Sequence, residues 1–368
     1  MKKIPNRQVH LDFHTSEMID QVGSKFSAEE FADTLKNANV EAVTLFTRCH
    51  HGNLYYDSTK YPERIHPHLK VKDMYREQAK ECRKKGIKVY LYTTICWDIR
   101  VAAEHPEWVA IDDYARISRR ETGNIFEDPG FHVDLCINSP YREFCKEQIA
   151  DALENCPVDG VLVDASFVVE CCCPRCRKSM LEKHLNPADP QDRKKHAWQI
   201  YYDFVREMTD YLHEIDSDYD IFFNKGHVGA QDIPVRDCFD YVAVESQPAN
   251  CGYMDFPVSA RYLRTWGVPV VGMTGRFLTG WGDNNSYRNQ AALEYESFSA
   301  LSYGGLCNIG DQLPPSGQLD KDMYGVIGDV FRQVKEKEPW CEDVPAGSDE
   351  QKVIKSSGYR IQVYAGNN

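Results

Sequence analysis

The feature that most constrains the fold is a regular alternation of short apolar segments with longer segments of helical spacing. Eight runs rich in β-branched and other apolar residues alternate with stretches of about ten or more residues that have helical character. Such alternation is typical of βα units, which build parallel sheets. Because the chain contains eight such runs, we predict an α/β fold, a (β/α)8 TIM barrel. The predicted strands lie at 9–14, 42–47, 88–92, 160–164, 221–224, 241–245, 269–273 and 305–309.

The predicted barrel covers residues 1–338, and residues 339–368 are interpreted as a short C-terminal extension or the start of a truncated second domain. An open doubly wound sheet is the alternative architecture. That sheet would need a glycine-rich first βα turn to bind a nucleotide, and the sequence has none. Local signals support the helices between the strands. A capping-box pattern at Ser27 and Glu30 precedes a helix at 28–39, and Ser139-Pro140 precedes one at 141–155.

Composition argues against two classes of partner. The 368 residues carry a formal net charge of −13, whereas a nucleic-acid-binding protein needs a basic face. No segment approaches 18 apolar residues without charges, so we expect no membrane span. The N-terminal residues lack a signal-peptide pattern, and the 14 cysteines then suggest reduced thiols and a possible metal site in a cytoplasmic protein. A homo-oligomer is compatible with this composition.

Polar residues follow almost every predicted strand. The C-terminal ends of barrel strands share one face, and active sites lie there. A face rich in His, Trp and carboxylates, without phosphate-binding glycine loops, suits a polyhydroxylated substrate. The residues expected at this face are His14, Glu17, His50, His51, Asp98, Asp164, Asn224, His227, Glu245, Arg276, Trp281, Asp283 and Asp311.

Two of these acids, Asp164 and Glu245, each end an otherwise apolar strand. Glycoside cleavage needs one carboxyl group to attack or to activate water, and another to protonate the leaving oxygen. Burial beside apolar neighbours can raise the pKa of one acid while the other stays ionised. The alternative is structural: either acid could accept hydrogen bonds from loop amides, or pair with Arg48 or Arg276.

The adjacent histidines His50 and His51 have three interpretations. They could be a metal pair, a core histidine beside a surface one, or donors to sugar hydroxyls. Adjacent residues of an extended chain point to opposite sides, so a chelating pair is poor geometry. We therefore favour hydroxyl binding by at least one of them. Trp281 could stack on a sugar or simply pack.

A cluster of cysteines follows the fourth strand. Tetrahedral zinc takes four ligands, of which Cys171, Cys173 and Cys176 could supply three and Cys136 the fourth. Cys172 is then the spare thiol, although the sequence also allows the reverse. A four-thiolate zinc has no open position, so its role would be structural. The alternative is four reduced thiols without a metal.

The stretches FTRCHHGNLYYDS, GVLVDAS and MTGRFLTGWGDNN resemble the α-L-fucosidase-type glycoside hydrolases of families 29 and 151, and especially the hypothetical glycoside hydrolases grouped beside family 151. The resemblance implies that Asp164 is the nucleophile of a retaining mechanism and that His14, His50 and His51 contact sugar hydroxyls. The segment 273–282 lacks the glutamate that some fucosidases carry there, so Glu245 is assigned as acid/base by its position alone. Glu17, Asn224, Arg276, Trp281 and Asp283 complete the expected sugar site.

The cysteine pattern resembles a different family. CINSPYRE followed by CCCPRC is similar to the zinc site of family 42 β-galactosidases, which implies Cys136, Cys171, Cys173 and Cys176 as ligands. Relatives of this type usually continue into further domains, including one that helps to form trimers.

These observations predict a retaining exo-glycosidase that acts on α-L-fucosides, with structural zinc and no catalytic cofactor. A β-galactosidase-like glycosidase is the alternative within the same fold. A non-catalytic carbohydrate-binding barrel is favoured instead if Glu245 lies more than about 10 Å from Asp164, because neither glycosidase geometry then works. A fourth possibility is a metal-dependent hydrolase that uses the histidines and Asp311.

Overall fold

The computed structural model describes residues 3–119, 131–283 and 286–341. Eight parallel strands follow one another around a nearly closed barrel, which confirms the predicted (β/α)8 fold. The strands are β1 Arg7–Asp12, β2 Ala42–Phe46, β3 Lys88–Thr94, β4 Gly160–Asp164, β5 Asp220–Phe223, β6 Val242–Glu245, β7 Val270–Gly275 and β8 Leu306–Gln312.

Seven pairs of neighbouring strands are joined by parallel ladders, including the pair β1 and β8. The remaining junction, between β5 and β6, is made through Asp240. The Asp240 amide donates to the carbonyl oxygen of Ile221 at 3.1 Å, and the Ile221 amide donates to the Asp240 carboxylate at 2.9 Å. Side-chain and loop hydrogen bonds thus replace a regular ladder where the barrel closes.

Helices cover the outside of the barrel, and the longer ones bury an apolar stripe against it. In the longest helix, α6, the buried residues Tyr201, Phe204, Val205, Met208 and Leu212 recur every three or four positions. The helices are α1 Ala28–Asn37, α2 Met74–Lys84, α3 Ile99–Glu104, α4 Tyr141–Leu153, α5 Pro174–Glu182, α6 Pro190–Ile215, α7 Pro248–Cys251, α8 Asp255–Leu263, α9 Gln290–Ser302 and α10 Lys321–Cys341. Among the described helices, none has the length and apolar character of a membrane span.

The predicted starts of α1 and α4 are confirmed, and both helices end earlier than predicted, at Asn37 and Leu153. The Ser27 hydroxyl accepts from the Glu30 amide at the start of α1, and α4 begins at Tyr141. Helices α3 and α5 were not predicted, because six and nine residues show too little periodicity to be recognised. Helix α10 continues to Cys341, past the predicted boundary at 338. Most of the predicted extension, 342–368, lies outside the described residues.

A fully buried ion pair stands behind the C-terminal face of the barrel. Arg48 Nη1 lies 2.9 Å from Asp98 Oδ2, and both side chains have no exposed surface. Asp98 Oδ1 also accepts from the Val101 amide at 2.8 Å, which caps α3. Arg48 donates further to the carbonyl oxygen of Thr94 at the end of β3. Asp98 is therefore a support of the loop after β3.

We expect Asp98→Ala to lower the free energy of unfolding by about 3–5 kcal/mol, because it leaves the buried Arg48 charge without its counterion. Urea unfolding followed by circular dichroism measures this loss. Asp218→Ala, which removes an exposed turn carboxylate, is the matched control and should change stability by less than about 0.5 kcal/mol. An equally small loss in Asp98→Ala would show that the pair is dispensable.

Candidate active site

The C-terminal ends of the strands surround a cavity of about 1030 Å³. Strands β1, β4 and β6 and the loops after β2, β3 and β7 contribute most of its wall. The lining residues include His10, Asp12, His14, His50, His51, Trp97, Phe131, His132, Asp164, Phe167, Asn224, Glu245, Asn250, Trp281, Asp283 and Gln312. The cavity therefore lies at the face where the sequence predicts an active site.

One amide group joins the two candidate catalytic acids. Asn224 Nδ2 donates to Asp164 Oδ1 at 2.7 Å and to Glu245 Oε1 at 2.5 Å. These two bonds put an upper limit of about 5.2 Å on the separation of the two carboxyl oxygens. Carboxyl groups of retaining glycosidases are about 5–5.5 Å apart, whereas those of inverting enzymes are about 6.5–9.5 Å apart. The geometry fits the retaining arrangement.

Asp164 is held as a carboxylate. The Tyr92 hydroxyl donates to Asp164 Oδ2 at 2.5 Å, and His50 Nε2 lies 3.6 Å from the same oxygen. Burial by itself raises the pKa of Asp164, but the contacts with His50 and Tyr92 and the backbone amide of Ala165 lower it to about 2. Ala165 adopts the left-handed conformation, with φ of 51°. Asp164 is therefore ionised at any pH near neutrality.

Glu245 has the opposite character. Burial and the charge of Asp164 raise the pKa of Glu245 to about 7, although the hydrogen bonds from Asn224 and Trp281 oppose this shift. Trp281 Nε1 donates to Glu245 Oε2 at 3.2 Å. A protonated acid beside an ionised one is the division of roles that general acid catalysis requires.

A group of histidines lies on the β1–β2 side of the cavity. His14 Nε2 lies 3.0 Å from Asp12 Oδ1, and although burial alone lowers the pKa of His14, the Asp12 carboxylate raises it overall. Burial and His14 together lower the pKa of His50 to about 3, so His50 is a neutral imidazole. His50 Nε2 contacts the Tyr92 hydroxyl at 3.0 Å. The ring of His51 contacts that of Phe131 at the cavity wall.

The structure brings together most of the residues predicted for the sugar site. His14, His50, His51, Asn224, Trp281 and Asp283 all line the cavity beside the two acids. Glu17 is exposed and does not line it.

Arg276 is also absent from the cavity lining, although the sequence suggested it as a sugar ligand. The buried carboxylate of Asp311 pairs with Arg276 Nε, and Arg276 Nη1 donates to the carbonyl oxygen of Ser286 at 2.8 Å. Arg276 thus fixes the loop after β7. Asp311, which a metal-dependent hydrolase would require, is committed to this ion pair.

Several lining residues were missed by the sequence analysis. Tyr92 ends the predicted strand at 88–92, and nothing in the local sequence distinguishes it from a core residue. His10 and Asp12 alternate along β1, and two polar residues on the inner face of a barrel strand are a signal that could have been used. Phe131 and His132 come from a long loop, whose position in space no periodicity reveals.

The four predicted metal ligands come together away from the cavity wall. The Sγ atoms of Cys136, Cys171, Cys173 and Cys176 all lie within 4.8 Å of one another and are buried. Cys136 Sγ is 3.9 Å from Cys173 Sγ and 3.5 Å from Cys176 Sγ. Four thiolates about 2.3 Å from a zinc ion are about 3.8 Å apart, so the cluster fits tetrahedral zinc. Cys172 is outside the cluster.

Comparison with protein families places the chain beside glycoside hydrolases. Residues 27–165 match the family model described as hypothetical glycosyl hydrolase 6. None of the curated proteins matches the chain.

Among solved structures, the chain resembles α-L-fucosidase isoenzyme 2 from Paenibacillus thiaminolyticus, with 33% identity and a TM-score of 0.85 over 92% of this chain and 51% of that one. The chain thus spans about half the length of this relative. The predicted resemblance to α-L-fucosidase-type glycoside hydrolases is confirmed.

Two more distant structures share the fold alone. The β-galactosidase from the psychrophilic Marinomonas ef1 has 13% identity and a TM-score of 0.63 over 91% of this chain and 60% of that one. The Thermotoga maritima α-fucosidase has 15% identity and a TM-score of 0.51 over 86% of this chain and 58% of that one.

The raised pKa of Glu245 has a cost in stability that we expect to depend on pH. The folded state holds this proton up to about pH 7, whereas a glutamate in the unfolded chain releases it near 4.3. Wild-type stability therefore falls, through this group, as the pH rises between these values. Relative to wild type, Glu245→Gln should become more stable by about 2–3 kcal/mol between pH 5 and pH 8.

Thermal and urea unfolding at both pH values measure this difference. Glu17→Gln, at an exposed position, is the matched control and should follow wild type at both. A Glu245→Gln curve parallel to wild type would contradict the raised pKa.

Proposed function

We propose that the protein is a retaining exo-glycosidase that releases terminal α-L-fucose from glycosides. The observation that carries this proposal is the Asn224 bridge, which keeps one oxygen of Asp164 within about 5.2 Å of one oxygen of Glu245, a limit compatible with a retaining pair. The similarity to an α-L-fucosidase over most of the chain supports fucose as the sugar.

Asp164 and Glu245 have separate roles in each of two steps. Asp164 attacks the anomeric carbon while Glu245 donates its proton to the departing glycosidic oxygen, so the sugar becomes esterified to Asp164. Glu245, now ionised, then takes a proton from a water molecule that attacks the same carbon. Asp164 leaves as a carboxylate, and the sugar is released with its original configuration.

Tyr92 and Asn224 position the nucleophile. They donate to different oxygens of Asp164, Tyr92 to Oδ2 and Asn224 to Oδ1, and thereby fix the plane of its carboxylate. Burial and the charge of Asp164 raise the pKa of the Tyr92 hydroxyl well above its ordinary value. Tyr92 consequently remains a hydrogen-bond donor throughout catalysis.

A non-catalytic carbohydrate-binding barrel has less support. A binding barrel is favoured if the two acids are more than about 10 Å apart. The Asn224 bridge limits the separation of the bonded carboxyl oxygens to about 5.2 Å. The β-galactosidase alternative has in its favour the similarity of fold and the likeness of the cysteine cluster to the family 42 zinc site, and neither of these concerns the sugar.

We also propose that the cluster of Cys136, Cys171, Cys173 and Cys176 binds a structural zinc ion. The four buried sulfurs have the spacing of a tetrahedral site. Asn138 Nδ2 donates to Cys176 Sγ at 3.5 Å, and such outer contacts orient metal ligands. With four thiolates the ion has no open position, so it joins the loops before α4 and after β4 and takes no part in the chemistry.

We expect wild type to contain about one zinc ion per chain, and Cys173→Ser to lose it and to unfold at a lower temperature. Elemental analysis and thermal unfolding measure both. The adjacent Cys172→Ser is the matched control, because this thiol lies outside the cluster, and it should keep its zinc. Wild type without zinc, or equal loss in both variants, would refute the site.

We expect Asp164→Gly to lower kcat on p-nitrophenyl α-L-fucoside at least about 1000-fold, since it removes the nucleophile. Added azide should restore turnover with formation of β-L-fucosyl azide, because azide attacks from the face that Asp164 occupied. In Glu245→Ala, azide should instead give α-L-fucosyl azide, by attack on the enzyme-bound sugar. Product configuration is read by NMR.

The remote Asp218→Asn is the control for these variants. Parallel assays with the galactoside, glucoside and xyloside test the sugar preference. Full activity in Asp164→Gly, or the opposite product configurations, would refute these assignments.

The pH dependence should follow the two acids. Activity requires ionised Asp164, whose pKa is about 2, and protonated Glu245, whose pKa is about 7. We expect kcat/KM to fall about tenfold per pH unit above pH 7. With α-L-fucosyl fluoride as substrate, the leaving fluoride needs little protonation, so Glu245→Gln remains measurable and should show no fall of kcat/KM above pH 7. If the fall persists in this variant, the general acid is a group other than Glu245.

A further inference from the structure

Three buried polar side chains on β1 and β8 line the cavity but have no part in the mechanism above. His10, Asp12 and Gln312 are 6%, 7% and 8% exposed, and all three contribute to the cavity wall. Sequence analysis did not assign any of them to the site. Polar side chains so deeply buried are unfavourable unless they find partners.

The three residues form one corner of the cavity floor. Asp12 and Gln312 are directly paired in the ladder between β1 and β8, so their side chains point the same way. His10 precedes Asp12 by two positions and lies on the same face of β1. This corner is next to His14, which binds Asp12 on its other side.

Each of the three residues has polar capacity that the described part of the chain does not use. Asp12 Oδ1 contacts His14 at 3.0 Å, while its other oxygen has no partner among the described residues. The Gln312 side chain likewise has no hydrogen bond there.

The orientation of the His10 proton follows from its surroundings. His10 Nδ1 is buried without a partner. Because orphaned buried N–H groups are rarer than orphaned acceptors, we assign the ring proton to Nε2. The edges and faces of Phe46, Tyr92 and Trp281 surround this ring and fix its direction.

Trp281 connects this corner to the catalytic acids. Its indole Nε1 donates to Glu245 Oε2 at 3.2 Å, and its ring centroid is 5.3 Å from that of His10. The ring lies over Gly310, where any Cβ would overlap it. A sugar in the cavity therefore meets an apolar surface between the reacting carbon and the corner.

We propose that His10, Asp12 and Gln312 bind neighbouring hydroxyl groups of the terminal sugar. This inference rests on the proposed function for its substrate. Asp12 accepts a hydrogen bond from a hydroxyl, His10 donates a hydrogen bond, and the Gln312 amide can do both. A site built in this way rejects sugars that lack these hydroxyls, because its buried polar groups then stay unpaired.

The test is a cycle that combines variants with deoxy substrates. Wild type, Gln312→Leu and His10→Phe are assayed on p-nitrophenyl α-L-fucoside and its 2-, 3- and 4-deoxy analogues. For at least one analogue, the wild-type kcat/KM should be about tenfold or more below its value on the fucoside. For one of the two variants the corresponding loss should be less than about threefold, because the variant already lacks the hydrogen bond to that hydroxyl. Gln191→Leu, an exposed glutamine, should retain the wild-type pattern.

Binding measurements separate this proposal from the proposed function. Tryptophan fluorescence titrated with L-fucose and D-galactose should show binding at least about tenfold weaker in Gln312→Leu than in wild type. Binding of this kind without turnover would retain the corner and refute the hydrolase. The corner would be refuted if the enzyme is active but every deoxy analogue costs the variants as much kcat/KM as it costs wild type. It would also be refuted if the protein binds neither sugar.

Discussion

The site depends on a single constraint, which is that two carboxyl groups share one amide donor in a buried space. At a separation of at most about 5.2 Å between the bonded oxygens, two negative charges away from water repel each other strongly. The surroundings resolve this by treating the acids differently. Asp164 has His50, Tyr92 and the Ala165 amide in addition to Asn224, whereas among the described residues Glu245 has Asn224 and Trp281. One proton is thereby placed on Glu245, and the difference in acidity between the two carboxyl groups follows from their different surroundings.

The scaffold keeps this arrangement rigid beyond the ends of the strands. The ladder between β3 and β4 continues into the loops, where the Ile95 and Cys96 amides donate to the carbonyl oxygens of Asp164 and Ala165 at 2.9 and 3.1 Å. The Leu135 amide donates in turn to the carbonyl oxygen of Cys96 at 2.8 Å. The next residue in the chain is a thiol of the cysteine cluster. Asp164 and the proposed zinc site are therefore ends of one hydrogen-bonded network.

The barrel and the two acids were predictable because each depends on local sequence. Apolar runs identify the strands, and an acid at the end of such a run is placed at the face that holds the site. Arg276 was expected to bind sugar, but its role is decided by Asp311 on a different strand, which the sequence does not place beside it. Tyr92 and His10 were missed for a related reason. In a barrel the inner face of a strand is core at one height and cavity at another, and composition does not report the height.

The contact between Trp281 and Gly310 has a consequence for how this chain can diverge. Gly310 leaves no room for any other residue beneath the indole, so position 310 is free to change only after position 281 has accepted a smaller ring. That first change also removes the donor to Glu245 and the wall beside His10. Substitution at these two positions must therefore occur in a fixed order, and the intermediate sequence would have an altered acidity of Glu245 and an altered cavity wall at once. The acidity of Glu245 and the shape of the cavity are thus inherited together.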